Sequence, residues 1–367
     1  MASMRTRAAA LFCFALMLLA GCSAGSKSMG TNNTPQGGGT DAAPKVVRVF
    51  IWSDYHSPEA LADFEKKTGL KVEFSHFESN EQMLAKLQQP GGDGLYDIVV
   101  PSAHVVESLV KLDLVQPLDP KKLANLGNLA PKFKDPSYDK GNKYTVPYFW
   151  GSTGILYRKD KLKELPATWA TVFKDPPGTF VMLDEMRDML GAALVYQGES
   201  VNCKDVEKLK KAAELVTQAK KHPKFRFFAG GPDGQKKVLA GEVDFAVVWN
   251  GEGVRAMSED AGVDFFIPSE GSPLWVDNLT IPKHAPNPDG AHKLIDFWLD
   301  GKIAAQQANE LRYGSPVAAA REYLKAEDLN NPRIYPAEEL MNKLQFEDHL
   351  GDDAQVWDEL WTQIKSR

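Results

Sequence analysis

From residue 46 onward, apolar and polar positions fall into alternating strand-like and helix-like blocks. Val46–Trp52 (VVRVFIW) is rich in β-branched and aromatic side chains, which predicts a strand. Ser57-Pro58 supplies an N-cap and a first-turn proline, which predicts a helix carrying Leu61 and Phe64 and ending at Gly69. Lys71–Phe77 (KVEFSHF) reads as a second strand. Ser79-Asn80-Glu81-Gln82 is a capping pattern, and Met83, Leu84 and Leu87 form the apolar face of the helix that follows. Residues 96–100 (YDIVV) form a third strand, closed by Pro101-Ser102. This βαβαβ order predicts a parallel sheet with helices on its faces. Further on, residues 181–184, 245–249 and 274–281 read as extended, while 204–221 and about 289–299 read as amphipathic helices. No internal repeat is visible. The expected architecture is α/β, two lobes with a cleft between them.

The first 45 residues follow another pattern. Arg5 and Arg7 precede an unbroken ten-residue apolar run, LFCFALMLLA, too short to span a bilayer and suited to a signal peptide. It ends in Leu19-Ala20-Gly21-Cys22, which resembles a bacterial lipobox; the resemblance implies cleavage after residue 21 and a lipid on Cys22. Residues 22–45 are rich in Gly, Ser, Thr and Asn and read as a flexible tether. The expected location is therefore the periplasm or cell envelope, lipid-anchored.

At 367 residues the chain has room for two domains, and 43% hydrophobic with 25% charged residues is ordinary for a soluble body. The formal net charge is −6, and loss of Arg5 and Arg7 would make it two units more negative. With no basic run, binding driven by nucleic-acid phosphates is excluded. Of three cysteines only Cys203 lies in the body, which precludes a disulfide within that body and leaves a passive thiol.

Enzyme signatures are sparse. Gly251-Glu252-Gly253-Val254-Arg255-Ala256 fits a dinucleotide-binding spacing, but it lies late in the chain and places an acid where a pyrophosphate would sit. A plain strand-to-helix turn is the expectation. There is no phosphate-binding loop and no nucleophile elbow. The seven histidines never fall four apart, so no helical zinc pair exists. His104 is placed near the cleft, and the other six are expected at the surface. No cofactor or metal is called for.

Parallel sheets gather ligands at the carboxyl ends of their strands. There this sequence sets aromatic residues (Trp52, Tyr55, Trp249, Trp275 and Tyr313) among acids (Asp54, Glu185, Asp188, Glu252 and Asp277). Trp275 and Asp277 share one face of an extended segment. Rings pack on methylenes and attract ammonium groups, and carboxylates accept charge-assisted hydrogen bonds from amines. The combination suits an elongated organic cation.

FIWSDY (50–55), FESNEQMLAKL (77–87), YDIVVPS (96–102), VPYFWGSTGI (146–155), WNGE (249–252), LWVDNLTIP (274–282) and YGSP (313–316) together resemble the spermidine/putrescine-binding receptors of bacterial ABC importers. The resemblance implies a type II periplasmic binding protein fold with hinge crossovers. Lobe 1 would comprise 46–149 and 279–317, and lobe 2 would comprise 150–278 and 318–367. It implies an aromatic box of Trp52, Tyr55, Trp249, Trp275 and Tyr313, with Asp277 central. Ser53, Asp54 and Ser102 would add polar contacts, and Glu185 and Asp188 would hold an amine end. His104 stands where the family has a tyrosine, and Glu347 where it has a glutamine. Glu252 resembles the putrescine receptors. The implied function is capture of spermidine or putrescine by lobe closure, as a monomer, for delivery to permease subunits. A polyamine sensor signalling to a membrane partner is the alternative, and an envelope enzyme a more distant one.

Overall fold

The computed structural model describes residues 45–366; the expected signal peptide, most of the expected tether and Cys22 lie outside them. The first strands form where the apolar blocks predict: β1 (Val46–Trp52), β2 (Lys71–Phe77) and β3 (Ile98–Val99), with β1 parallel to both neighbours. Ser57 accepts from the Ala60 amide to start the Pro58–Thr68 helix, and Gly69, at φ 70°, ends it in the left-handed region that glycine tolerates. Ser79 caps the Asn80–Leu87 helix in the same way, accepting from Gln82.

A short strand, β4 (Val115–Gln116), leads through single turns to β5 (Thr145–Arg158), fourteen residues buried almost end to end. The second half of the sheet contains β6 (Phe180–Leu183), β7 (Phe225–Ala229), β8 (Phe245–Trp249) and β9 (Val263–Phe266). The chain then returns along β10 (Pro273–Pro282), buried throughout, and later adds β11 (Gln345–Phe346). The strand order is β2-β1-β3-β10-β5-β8-β6-β7, with β4 and β11 on β10 and β9 on β5.

Two strands tie the halves together. β10 runs antiparallel to β5 from Leu274 to Thr280 and also meets β3, whereas the later part of β5 pairs with β8 and β9. Both are covered on two faces, which explains their continuous apolar runs in place of alternation. Buried apolar side chains segregate accordingly. One cluster draws on Val47 to Phe149 and Trp275 to Ala320; another draws on Ile155 to Val247 and Leu350 to Ile364. Along β8, Phe245 and Val247 enter that second cluster while Ala246 and Val248 face a third on the other side of the sheet. Among the described residues, no helix is long and apolar enough to cross a membrane.

Two expectations need comment. His292 is buried, not at the surface: its Nε2 accepts from the Asp119 amide and Nδ1 faces the Pro288 carbonyl, so both ring nitrogens are engaged. Gly251 and Gly253 open the Asn250–Glu259 helix, where a Cβ would strike the rings of Tyr313 and Phe265. Those glycines admit aromatic packing, which accounts for their spacing without a phosphate.

Candidate functional site

Five rings meet edge to face. Trp52 sits 5.6 Å from Trp249, Trp249 is 6.4 Å from Trp275, Trp275 is 5.0 Å from Tyr313, and Tyr313 is 5.4 Å from Tyr55. Sequence positions 52, 55, 249, 275 and 313 are scattered. Trp52 and Trp249 end β1 and β8, Tyr55 lies in the turn after β1, and Trp275 is on β10. Tyr313 follows the C-cap of the Gly301–Leu311 helix and not a strand, beside the Gly314 bridge to Trp150. Three of the rings are anchored from behind by hydrogen bonds. Trp52 Nε1 donates to the Val100 carbonyl at 3.0 Å, Trp249 Nε1 donates to Asp188 Oδ2 at 3.2 Å, and the Tyr313 hydroxyl donates to Glu252. Gly151 lies under the Trp275 ring, where a Cβ would approach to 2.4 Å, and Gly251 lies as close to Tyr313.

Inside the rings is a small cavity, with about 20 Å³ open to the centre of a water-sized sphere, which Ser53, Ser102, Glu185, Asp188, Glu252, Asp277 and Glu347 also line. Glu185, Asp188 and Glu252 stand at or just inside helix N-termini following β6 and β8, where the helix dipole favours a negative charge. Ser102 begins the Ala103–Lys111 helix without capping it; its hydroxyl donates to Asp277 Oδ1 at 2.7 Å instead. Asn80 braces this corner, donating to Ser102 Oγ at 3.1 Å and reaching Glu185 Oε1 at 3.4 Å.

The acids are not in equivalent states. Burial pushes the Asp277 carboxyl up to about 7, against the pull of the Ser102 and Tyr55 hydroxyls, although the Tyr55 hydroxyl does not close a well-formed bond. Burial also raises Asp188, aided by the charge of Glu347 and opposed by Thr153 and Trp249. Glu185 is raised well above the carboxylate range by burial, then by Glu81, Asp188 and Glu347. Glu347 goes the other way: burial would raise it, but His104 and Arg187 prevail and hold it low. Glu252 is met at 2.7 Å by Arg255. Among the described residues, Glu185, Asp188 and Asp277 are thus buried carboxyls without an ion-pair partner. Glu185 Oε2, Glu347 Oε1 and Trp275 Nε1 have no hydrogen-bond partner among those residues.

Two expected residues lie elsewhere. Asp54 is exposed, at φ 52°, and pairs at 3.1 Å with Lys236 on the outside of the cavity. The tight turn after β1 directs it outward while Ser53 and Tyr55 face inward. His104 is buried behind Glu347, its Nδ1 2.9 Å from Glu347 Oε2, an ion-pair contact rather than a straight hydrogen bond. Thr153, Asn80 and Arg255 were not singled out by sequence. Arg255 could have been, three residues after Glu252 on one helix face. Thr153 carries no sequence signal, because only β5 pairing brings it to Asp188.

The family described as bacterial extracellular solute-binding protein matches residues 59–333. This protein belongs to that family. Similar relatives include the spermidine/putrescine-binding periplasmic protein 1 of Haemophilus influenzae, 33% identical over 89% of this chain and 91% of its own. The putrescine/cadaverine-binding protein of Pseudomonas aeruginosa is also 33% identical, over 89% of this chain and 95% of its own. Among solved structures, a putative spermidine/putrescine ABC transporter protein from Listeria monocytogenes superposes with a TM-score of 0.81. It is 34% identical and covers 88% of this chain and 99% of its own. The fold of this solute-binding protein is the type II periplasmic binding protein fold, with β10 inserted antiparallel beside β3 and β5. Solute-binding proteins of this kind bind and release a ligand unchanged; they are not enzymes.

Proposed function

We propose that this protein is the polyamine receptor of an ABC importer, capturing spermidine or putrescine and delivering it to a membrane permease. The observation that carries the reading is the aromatic box holding three buried carboxyls that lack basic partners. Such a site is short of positive charge and rich in flat apolar walls. A diammonium or triammonium chain supplies charge at its nitrogens, and its methylene segments lie against the rings. Asp277 and Asp188 then exchange weak hydroxyl and indole donors for ammonium N–H groups, and Glu185 Oε2 gains a partner. Glu252, already met by Arg255, contributes mainly by fixing Tyr313.

Capture works by closure of two lobes, residues 46–149 with 279–317 and residues 150–278 with 318–367, about the β5 and β10 crossovers. The separation of the apolar clusters on either side of those strands supports this division. The receptor acts as a monomer in the periplasm, tethered through residues 22–45 to a lipid on Cys22.

Thermal unfolding of residues 23–367, stripped of ligand by unfolding and refolding, tests the reading. Spermidine, putrescine, spermine, cadaverine, maltose and arginine would be compared. Ligand at 100-fold over its Kd adds about 2.7 kcal/mol of stability, enough to shift the midpoint. A shift confined to the amines is expected. A shift with sugar or amino acid alone would mean that the cavity serves another solute.

A further inference from the structure

Glu252 is the acid of the aromatic cavity that meets a guanidinium at ion-pair distance. It is 2% exposed, and both of its oxygens are committed. Oε1 accepts from Arg255 Nη2 at 2.7 Å, and Oε2 accepts from the Tyr313 hydroxyl. The two charges lie three residues apart on the Asn250–Glu259 helix, so a single turn of backbone sets their spacing.

Arg255 is fixed from a second side as well. Its Nη1 donates at 2.7 Å to the carbonyl of Leu311, the last residue of the Gly301–Leu311 helix, where the helix dipole favours a cation. The guanidinium also lies 5.8 Å from the centre of the Tyr313 ring. Arg255 is not among the residues that line the cavity, so it can reach a ligand only through Glu252.

The place of this pair along the wall gives it a consequence. Trp249 donates through Nε1 to Asp188 at 3.2 Å. The Cε3–Cζ3 edge of the same indole adjoins Gly231, where a Cβ would stand 2.5 Å from Cε3 and 3.4 Å from the Glu252 carboxyl carbon. Asp188 and Glu252 therefore stand at different edges of one ring. An amine chain laid along that ring meets a carboxyl without an ion-pair partner at the first edge and a neutralised one at the second. An ammonium group arriving at Glu252 would have to share its carboxylate with the guanidinium and would be repelled by that charge.

We propose that Arg255 determines chain-length specificity: by neutralising Glu252 it withholds a further ammonium position, so that the cavity prefers a diamine to a triamine. The proposal rests on the polyamine reading above. Glu185, Asp188 and Asp277 serve the two nitrogens of a diamine, and the additional nitrogen of a triamine meets the occupied Glu252. Arg255 is a positioning residue in this scheme and makes no contact with the amine.

Calorimetric titration at pH 8 with putrescine and with spermidine tests it, on the parent protein, Arg255→Gln and Arg255→Lys. Glutamine removes the charge but keeps a hydrogen-bond donor for Glu252 or Leu311, whereas lysine keeps the charge. The parent should bind putrescine at least about tenfold more tightly than spermidine. In Arg255→Gln the affinity for spermidine should rise, and its ratio to that for putrescine should rise at least about tenfold. Arg255→Lys should keep the parental ratio. A merely structural role cannot strengthen binding of one amine; it would weaken both alike. That result, a parent that prefers spermidine, an unchanged ratio in Arg255→Gln, or the same rise in Arg255→Lys would each overturn the assignment and leave the receptor reading standing. Arg255→Met, also uncharged, takes the place of the glutamine variant if that variant does not fold. A parent protein that binds neither amine overturns both.

Discussion

With its carboxyl pushed up to about 7 by burial, Asp277 exchanges its proton near neutral pH in the ligand-free protein. An ammonium group favours the ionised form, so binding drives the proton off. Affinity should fall by about tenfold or more between pH 8 and pH 6, and titrations at pH 7 in buffers of different ionisation enthalpy should show net proton release. An affinity flat across that range would contradict the assignment. Asp277→Asn should weaken spermidine or putrescine by at least about 30-fold, because a buried charge on the ligand is left unpaired. The same change should stabilise the empty protein at alkaline pH. A carboxyl whose folded pKa is raised stabilises fully below its ordinary value of 3.8, and that contribution is lost as pH rises through about 7. Melting of ligand-free Asp277→Asn should therefore exceed the parent by a few degrees at pH 8 and show no gain at pH 4. The aromatic and acidic residues were legible in the sequence as a set. Their unequal charge states were not, since those arise from depth of burial and from His104 and Arg187 reaching Glu347 across the fold.

The Asn250–Glu259 helix shows how an element sets the site. Its first turn must pass beneath Tyr313, and a Cβ on Gly251 would come within 2.4 Å of that ring. Gly251→Ala should displace the ring and weaken polyamine binding by about tenfold, read by calorimetry, with Asp277 and Asp188 untouched. Unchanged affinity would show that Tyr313 is not part of the hold. The elements most legible in the sequence were those with chemical punctuation: Ser57-Pro58 and Gly69 bracket one helix, and Ser79 starts the next. β5 was not recognised as a strand, although its segment carries family motifs. Proline at 147 and glycines at 151 and 154 interrupt a run buried on both sides, so neither the strand nor the helix period emerges. The single turns between Pro120 and Asn142 likewise carry no repeating pattern to read.

Over the whole molecule the excess of acids matters beyond the cavity. A net charge of −6 or below should draw polycations inward, so the association rate measured by stopped flow should fall steeply with added salt while dissociation changes little. Equal dependence of both rates would argue against steering. By contrast, Lys236 and Asp54 are both exposed, and Lys236→Ala should change affinity by less than about threefold. The position of Glu347 could not be secured from the sequence, because the tail that carries it matches the family loosely and follows no strong period. Three of the eight tryptophans, Trp52, Trp249 and Trp275, stand ring against ring around the cavity, and one of them has an indole N–H without a partner. Binding should therefore be written into the protein's own light: an ammonium ion arriving among these indoles should alter their emission, so that occupancy could be followed in an unlabelled sample, in real time, at concentrations far below those that calorimetry requires.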